Sequence, residues 1–248
     1  MATKLKSLFR EPRSALALRT LFFVLLFLAA RAADFSFLPT MLFLGGAAAL
    51  FFMVPAAGRG YGRSFTVFLV FAFVAIHFLA GRLPAFFIIT FLGILFGILL
   101  AMRMLIFTRR TAHAIFTLVA SYAALFTYAI LEPSLHGVVK SFLLWLGLFF
   151  IFSEFFTAQE DAQFVRISQS ATRAGIVALI AVESAWASSF LPLTVLAAST
   201  LSFAATVGAW EVLEWSRREK LSKSHIFWIA AILYLTVAAL ISTSGMRR

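Results

Sequence analysis

The chain has 248 residues, of which 62% are hydrophobic and 12% are charged, and its formal net charge is +11. A soluble globular protein has about half of its residues apolar and about a quarter charged, so this composition excludes one. Cysteine is absent, which excludes disulfides and thiolate metal sites.

Long apolar runs, each of roughly 17–23 residues, fit helices that cross ~30 Å of hydrocarbon. In lipid a helix satisfies its backbone polar groups within one segment. We place nine spans at residues 15–30, 36–56, 64–80, 85–107, 112–131, 138–157, 174–191, 192–213 and 226–244. The predicted fold is therefore an all-α, polytopic integral membrane bundle. It forms a single domain over residues 15–248, and residues 158–173 form its longest loop.

Basic residues are concentrated on alternate connections between the spans. Sixteen of the 21 fall on one side, and five (Arg31, Arg82, Lys140, Arg247, Arg248) fall on the other. Lysine and arginine are retained on the cytoplasmic side during insertion, so the N-terminus is predicted to be cytoplasmic. The net charge is thus a topology signal, and a nucleic-acid partner is not expected. The predicted location is the plasma membrane of a bacterium.

Residues 1–14 are predicted to form a basic amphipathic leader on the cytoplasmic side, which can lie on an anionic membrane surface. The alternative is a basic leader that only retains the N-terminus in the cytoplasm. Besides the bilayer itself, the expected partner is anionic lipid, at the basic residues Lys4, Lys6, Arg10, Arg59 and Arg63. The first span also resembles a signal peptide, and its cleavage is left open.

Helix packing is predicted from the distribution of small and bulky residues. Gly93, Gly97 and Ala101 give span four a small face on which another helix can pack closely. Spans seven and eight are rich in alanine and serine and are expected at the centre of the bundle. Spans two to six are rich in phenylalanine, which predicts large contact with lipid.

Glu183 is the strongest candidate for a functional side chain. It lies near the middle of span seven, where a charge costs roughly 2.5–3.5 kcal/mol. An intramembrane acid indicates a proton or cation relay, or a group that orients a polar substrate. The structural alternative is a neutral glutamic acid that is hydrogen-bonded to a hydroxyl group of span eight.

Span eight supplies the other residues of a predicted polar seam. Ser199, Ser202 and Thr206 share one helix face, and Glu211 follows toward the cytoplasmic end. These groups can line a path beside Glu183. Alternatively, the hydroxyl groups bond to carbonyls one turn back or across a packed interface.

Two further carboxylates, Glu154 and Glu214, are predicted near the cytoplasmic interface. Paired carboxylates can bind a cation or act in acid–base chemistry. Interfacial ion pairing with nearby arginines is the structural alternative. The four histidines do not converge, so neither a metal site nor a cofactor is predicted.

Three functions remain open. The leading hypothesis is a small permease-like or channel-like protein with a polar seam between spans six to eight. The second is a non-catalytic membrane assembly or scaffold subunit. The third is a membrane-embedded enzyme that modifies lipids through Glu154, Glu211 and Glu214. The sequence favours a non-enzymatic function, because it contains no catalytic motif.

Overall fold

The computed structural model describes residues 12–53, 61–79, 84–104, 109–131, 137–159, 167–217 and 222–245. These residues form nine α-helices and no strand, so the predicted all-α bundle is confirmed for this part of the chain. The helices are α1 (Pro12–Ala32), α2 (Phe37–Phe52), α3 (Gly62–Leu79), α4 (Ala85–Met104), α5 (Arg109–Ile130), α6 (Gly137–Gln159), α7 (Ile167–Ser188), α8 (Val195–Arg217) and α9 (Lys223–Gly245).

Five of the helices in the described ranges are long and apolar enough to cross a membrane. They contain the segments Ser14–Ala32, Phe86–Met104, Thr111–Ile130, Gly137–Ala158 and Val195–Ser216. Shorter apolar segments, Phe37–Phe52, Gly62–Ala75 and Ile226–Ala239, lie in α2, α3 and α9. The chain therefore has the helices of an integral membrane protein. Nine spans and a cytoplasmic N-terminus stay predictions.

The connection before α7 is shorter than the sequence predicts. Residues 158–173 are rich in polar side chains and were expected to form a loop, but α6 runs to Gln159 and α7 begins at Ile167. Ser170 shows the reason, because its side chain is buried and its Oγ lies 3.3 Å from Thr157 Oγ1 of α6. Serine and threonine are common in loops, so composition alone does not distinguish loop residues from hydroxyl groups that pair across a helix interface.

Packing divides the chain into two compact units, Met1–Phe116 and Thr117–Arg248. In the first unit α1 packs on α2 and α4, and α3 packs on α4. In the second unit α6 packs on α7, α7 on α8, and α8 on α9. The single domain predicted over residues 15–248 stays a prediction, and most of the predicted leader lies outside the described residues.

The core of the first unit is a cluster of phenylalanine rings. Phe23 of α1 stacks on Phe96 of α4, with ring centroids 4.2 Å apart. Phe43 of α2 and Phe68 of α3 lie 5.5 and 5.6 Å from the Phe23 ring. The side chains of Phe23 and Phe96 are 1% and 0% exposed. The lipid contact predicted for the phenylalanines of spans two to six is therefore wrong for Phe96, although Phe86 and Phe87 of the same helix are exposed.

Glycines on α4 let α1 approach closely. A Cβ atom at Gly93 would lie 2.8 Å from Val24 Cγ2, and one at Gly97 would lie 3.2 Å from Thr20 Oγ1. A real Cβ atom is almost never found this close to another atom. At Gly93 the two helices are therefore so close that glycine, with only a hydrogen as its side chain, fits between them. Ala101, the third residue of the predicted small face, is half-buried.

Two arginines cap the C-terminal end of α2. Arg19 Nη1 of α1 donates to the Leu50 carbonyl at 2.8 Å, and Arg103 Nη2 of α4 donates to the Phe52 carbonyl at 3.3 Å. The last carbonyls of a helix lack partners within the helix, and they carry its negative dipole end. The Arg103 guanidinium also lies over the Phe51 ring, 4.9 Å from its centroid. These two cations therefore stabilise the tertiary structure of the first unit.

Lys140 plays the same part in the second unit. Its Nζ donates to the Leu131 carbonyl, just beyond the end of α5, at 2.8 Å. The same Nζ lies 4.1 Å from the centroid of the Tyr128 ring. One of the five basic residues predicted on the sparsely charged side thus binds a carbonyl at a helix end.

Candidate functional site on helices α6 to α8

Three hydroxyl residues of α8, Ser199, Ser202 and Thr206, are buried on the same face of the helix; we call them the hydroxyl ladder. Ser199 Oγ donates to the Leu196 carbonyl at 3.0 Å, and Ser202 Oγ lies 2.9 Å from the Ala198 carbonyl. Thr206 Oγ1 donates to the Ser202 carbonyl at 2.7 Å. The ladder therefore bonds to its own helix, which is the structural alternative that its spacing left open.

Ser202 also joins α8 to α7. Its Oγ lies 3.2 Å from Ser188 Oγ, and both side chains are buried. The alanines that precede Ser188 on the same face of α7, Ala174, Ala178, Ala181 and Ala185, are buried as well. The alanine face is therefore buried, whereas its predicted position at the centre of the whole bundle stays a prediction. The ladder lies at an interface that small residues pack tightly.

Glu183 lies on the opposite side of α7. Its side chain is exposed, and it makes no hydrogen bond or ion pair with the residues that the structure describes. It belongs to a row with 3-4-3-4 spacing that we call the outward stripe: Ile176, Leu179, Glu183 and Trp186 of α7, and Phe190 in the turn just beyond its end. The four apolar members are 41–69% exposed. The structure therefore does not bring Glu183 together with the hydroxyl ladder.

The depth of Glu183 follows from the register of α7 and α8. A short connection joins the two helices, so they run antiparallel, and the Ser188–Ser202 contact aligns them. Glu183 is five residues before Ser188, which puts it level with Val207. At ~1.5 Å per residue, Val207 lies about 18 Å from Val195 and about 14 Å from Ser216, the ends of the apolar segment of α8. Glu183 is thus level with the middle of that segment.

Glu211 is separate from both groups. It is half-buried on α8, and its Oε2 accepts a hydrogen bond from Trp215 Nε1 at 2.9 Å, one turn further along. The five residues of the predicted seam therefore occupy three positions: the buried ladder, the outward stripe and the end of α8. No contact among the described residues links these three positions. The polar path along the seam therefore stays a prediction.

The interfacial carboxylates gather near the other end of α6 to α8. The contact of Thr157 with Ser170 aligns α6 and α7, and it puts Glu154 level with Arg173. Glu214 of α8 is buried. Glu154, Arg173 and Glu214 all have bonded or electrostatic partners in the structure. Ion pairing and acid–base chemistry at these carboxylates both stay predictions.

Three buried hydroxyl residues on α5, Thr117, Ser121 and Thr127, were missed by the sequence analysis. Thr117 and Ser121 are 0% and 1% exposed, and neither Oγ1 nor Oγ has a hydrogen-bond partner among the described residues. Their four-residue spacing puts them on one helix face, a signal that could have been recognised. Nearby Tyr122 meets Phe203 of α8, with ring centroids 5.3 Å apart, so this part of α5 adjoins α8.

The described ranges contain no cluster of three or more residues that could hold a metal ion.

Of the basic residues expected to bind anionic lipid, Arg63 is exposed at the start of α3. Lys4, Lys6, Arg10 and Arg59 lie outside the described residues.

Comparison of the chain with protein-family models, with curated proteins and with solved structures gave no match.

Proposed function

We propose that this chain is a non-catalytic assembly subunit of a membrane complex, which binds its partner through the outward stripe of α7. The supporting observation is the position of Glu183. Its side chain is exposed among apolar side chains of α7, and it is level with the middle of the apolar segment of the neighbouring helix α8. Such a carboxyl group is costly in contact with lipid, and intramembrane acids face other helices or water-filled cavities. A partner helix on the stripe removes that cost.

The spacing of the stripe supports a helix as the occupant. Apolar residues at 3-4-3-4 spacing form the seam through which two helices pack side by side. Ala187 lies next to Glu183 on the exposed side and leaves room for close approach. We place this complex in the plasma membrane of a bacterium, in line with the predicted cytoplasmic N-terminus.

Cross-linking in native membranes tests this function. Because the chain has no cysteine, Leu179→Cys supplies a single attachment point on the stripe for a photoactivated cross-linker. Leu143→Cys is the matched control, since Leu143 lies on α6 and is 58% exposed, against 50% for Leu179. We expect one adduct of defined mass from Leu179→Cys and none from Leu143→Cys. A second substitution, Ala187→Trp, should block helix approach and lower the adduct yield at least about tenfold.

Three results would contradict an assembly role: no adduct at Leu179→Cys, equal labelling from both positions, or an adduct that survives Ala187→Trp. The mass of the adduct separates a second copy of this chain from a different subunit.

A permease or channel is the second candidate, and Thr117 and Ser121 favour it. Buried hydroxyl groups that lack a partner can bond to a polar solute or to water in a path. The hydroxyl ladder does not add to this case, since its groups are bonded within α8. Thr117→Val removes the hydroxyl and keeps the shape, so it should abolish solute flux into vesicles in a permease. In an assembly subunit the same variant leaves the Leu179→Cys adduct unchanged.

A further inference from the structure

The outward stripe also indicates the chemistry of its partner. Apart from Glu183, the stripe consists of apolar side chains, and Trp186 packs edge-on against Phe190 with ring centroids 4.8 Å apart. The neighbouring Ser184 hydroxyl donates to the Ala181 carbonyl at 2.9 Å, so its hydrogen is already used. Nothing on this face of α7 supplies Glu183 with a donor or a positive charge.

Two basic side chains that the structure describes in the second unit, Lys140 and Arg173, are engaged at other positions. Lys140 binds the Leu131 carbonyl, and Arg173 lies level with Glu154 and has partners of its own. A second copy of this chain packed stripe to stripe would bring two Glu183 carboxyl groups together and add no cation. A partner that neutralises Glu183 therefore carries the positive charge itself.

We infer that the outward stripe binds a transmembrane helix of another protein that carries one lysine or arginine at mid-depth, opposite Glu183. This inference rests on the proposed assembly function. A basic side chain neutralises the carboxylate and supplies N–H donors at once, whereas a hydroxyl or amide supplies donors alone. Intramembrane charges pair in this way because neither ion is stable alone in hydrocarbon. The apolar positions above and below Glu183 then pack against the same helix.

The test uses synthetic helices in place of the natural partner. The full chain, reconstituted in phosphatidylcholine vesicles, carries a fluorophore on Leu143→Cys, which is exposed on α6 outside the outward stripe, and energy transfer reports binding of labelled poly-leucine transmembrane peptides. Three peptides have arginine, glutamine or leucine at the central position. We expect the arginine peptide to bind about tenfold more tightly than the leucine peptide, in the range of polar contacts between membrane helices. Glu183→Gln should remove this preference.

Glu211→Gln is the matched control, because Glu211 is bonded to Trp215 at another position and the variant should keep the preference. Four outcomes would overturn the inference: equal binding of arginine and leucine peptides, equal binding of arginine and glutamine peptides, a preference that survives Glu183→Gln, or transfer between copies of the chain that excludes every peptide. If native cross-linking at Leu179→Cys succeeds while these peptides fail, the assembly function stands and only the basic partner is lost.

Discussion

The two units reach close helix packing by opposite means. In Met1–Phe116, large rings fill the space between α1, α2, α3 and α4, and Phe23 alone meets the rings of Phe43, Phe68 and Phe96. In Thr117–Arg248, α7 presents alanines to its neighbours and a serine pair closes the interface with α8. In lipid, packing rather than the hydrophobic effect draws helices together, and both solutions increase atomic contact.

The comparison shows that residue size does not reveal which side chains face lipid. Phe96 and Phe87 lie on the same helix and are equally apolar, yet they are 0% and 64% exposed. Alanine likewise occurs on both faces of α7, since Ala181 is buried and Ala187 is exposed. What decides the position is the periodicity along each helix together with its neighbours.

The largest effect is expected from overpacking the small interface. Ala181→Leu inserts three carbons where α7 meets its neighbours, and we expect a loss of about 3 kcal/mol in the free energy of unfolding. Ala187→Leu makes the same change on the exposed side and should cost less than about 0.5 kcal/mol. Reversible unfolding in mixed detergent micelles measures both. Equal losses would show that the alanine face is not a tight interface.

A smaller effect is expected from opening a cavity in the ring cluster. Phe96→Ala leaves Phe23 without its stacking partner, and we expect a loss of about 2 kcal/mol. The value is lower than in a soluble protein because the lost side chain was not exchanged between water and the core. Phe87→Ala, on the exposed side of α4, is the control and should be near neutral. A larger loss from Ala181→Leu than from Phe96→Ala would identify the alanine interface as the less adaptable one.

The sequence predicted helix positions well because apolar runs of membrane length leave few alternatives. It misplaced the start of α7 by seven residues, since Ser170 and its neighbours look like loop residues until their partner Thr157 on α6 is known. It also missed that Arg19, Arg103 and Lys140 bind helix carbonyls. Such contacts join residues distant in sequence, and periodicity carries no signal for them.

The predicted seam shows a second limit. Helical spacing alone puts Glu183 opposite the alanine face, and it puts Ser199, Ser202 and Thr206 on one side of α8. Bringing both sets together would have required α7 to present two opposite faces to α8. Once alanine packing fixes the rotation of α7, Glu183 faces away from that interface. A charged residue draws attention by its chemistry, but its position is set by the side chains that pack best.

The smallest effect is expected when the serine hydroxyl groups at the α7–α8 interface are removed. This change tests how much the hydroxyl contact adds to the stability that the small size of the side chains provides. Ser188→Ala and Ser202→Ala keep the small side chains and remove the contact of 3.2 Å between the two oxygens. In a double-mutant cycle we expect a coupling of about 0.6 kcal/mol, the average for hydrogen bonds between membrane helices. Ser184→Ala, which removes a hydroxyl bonded within α7, should show no coupling to Ser202→Ala. A coupling well above 1 kcal/mol would make the serine pair the main contact of this interface. Zero coupling would show that close packing alone stabilises the α7–α8 interface, as it does in the ring cluster of the first unit.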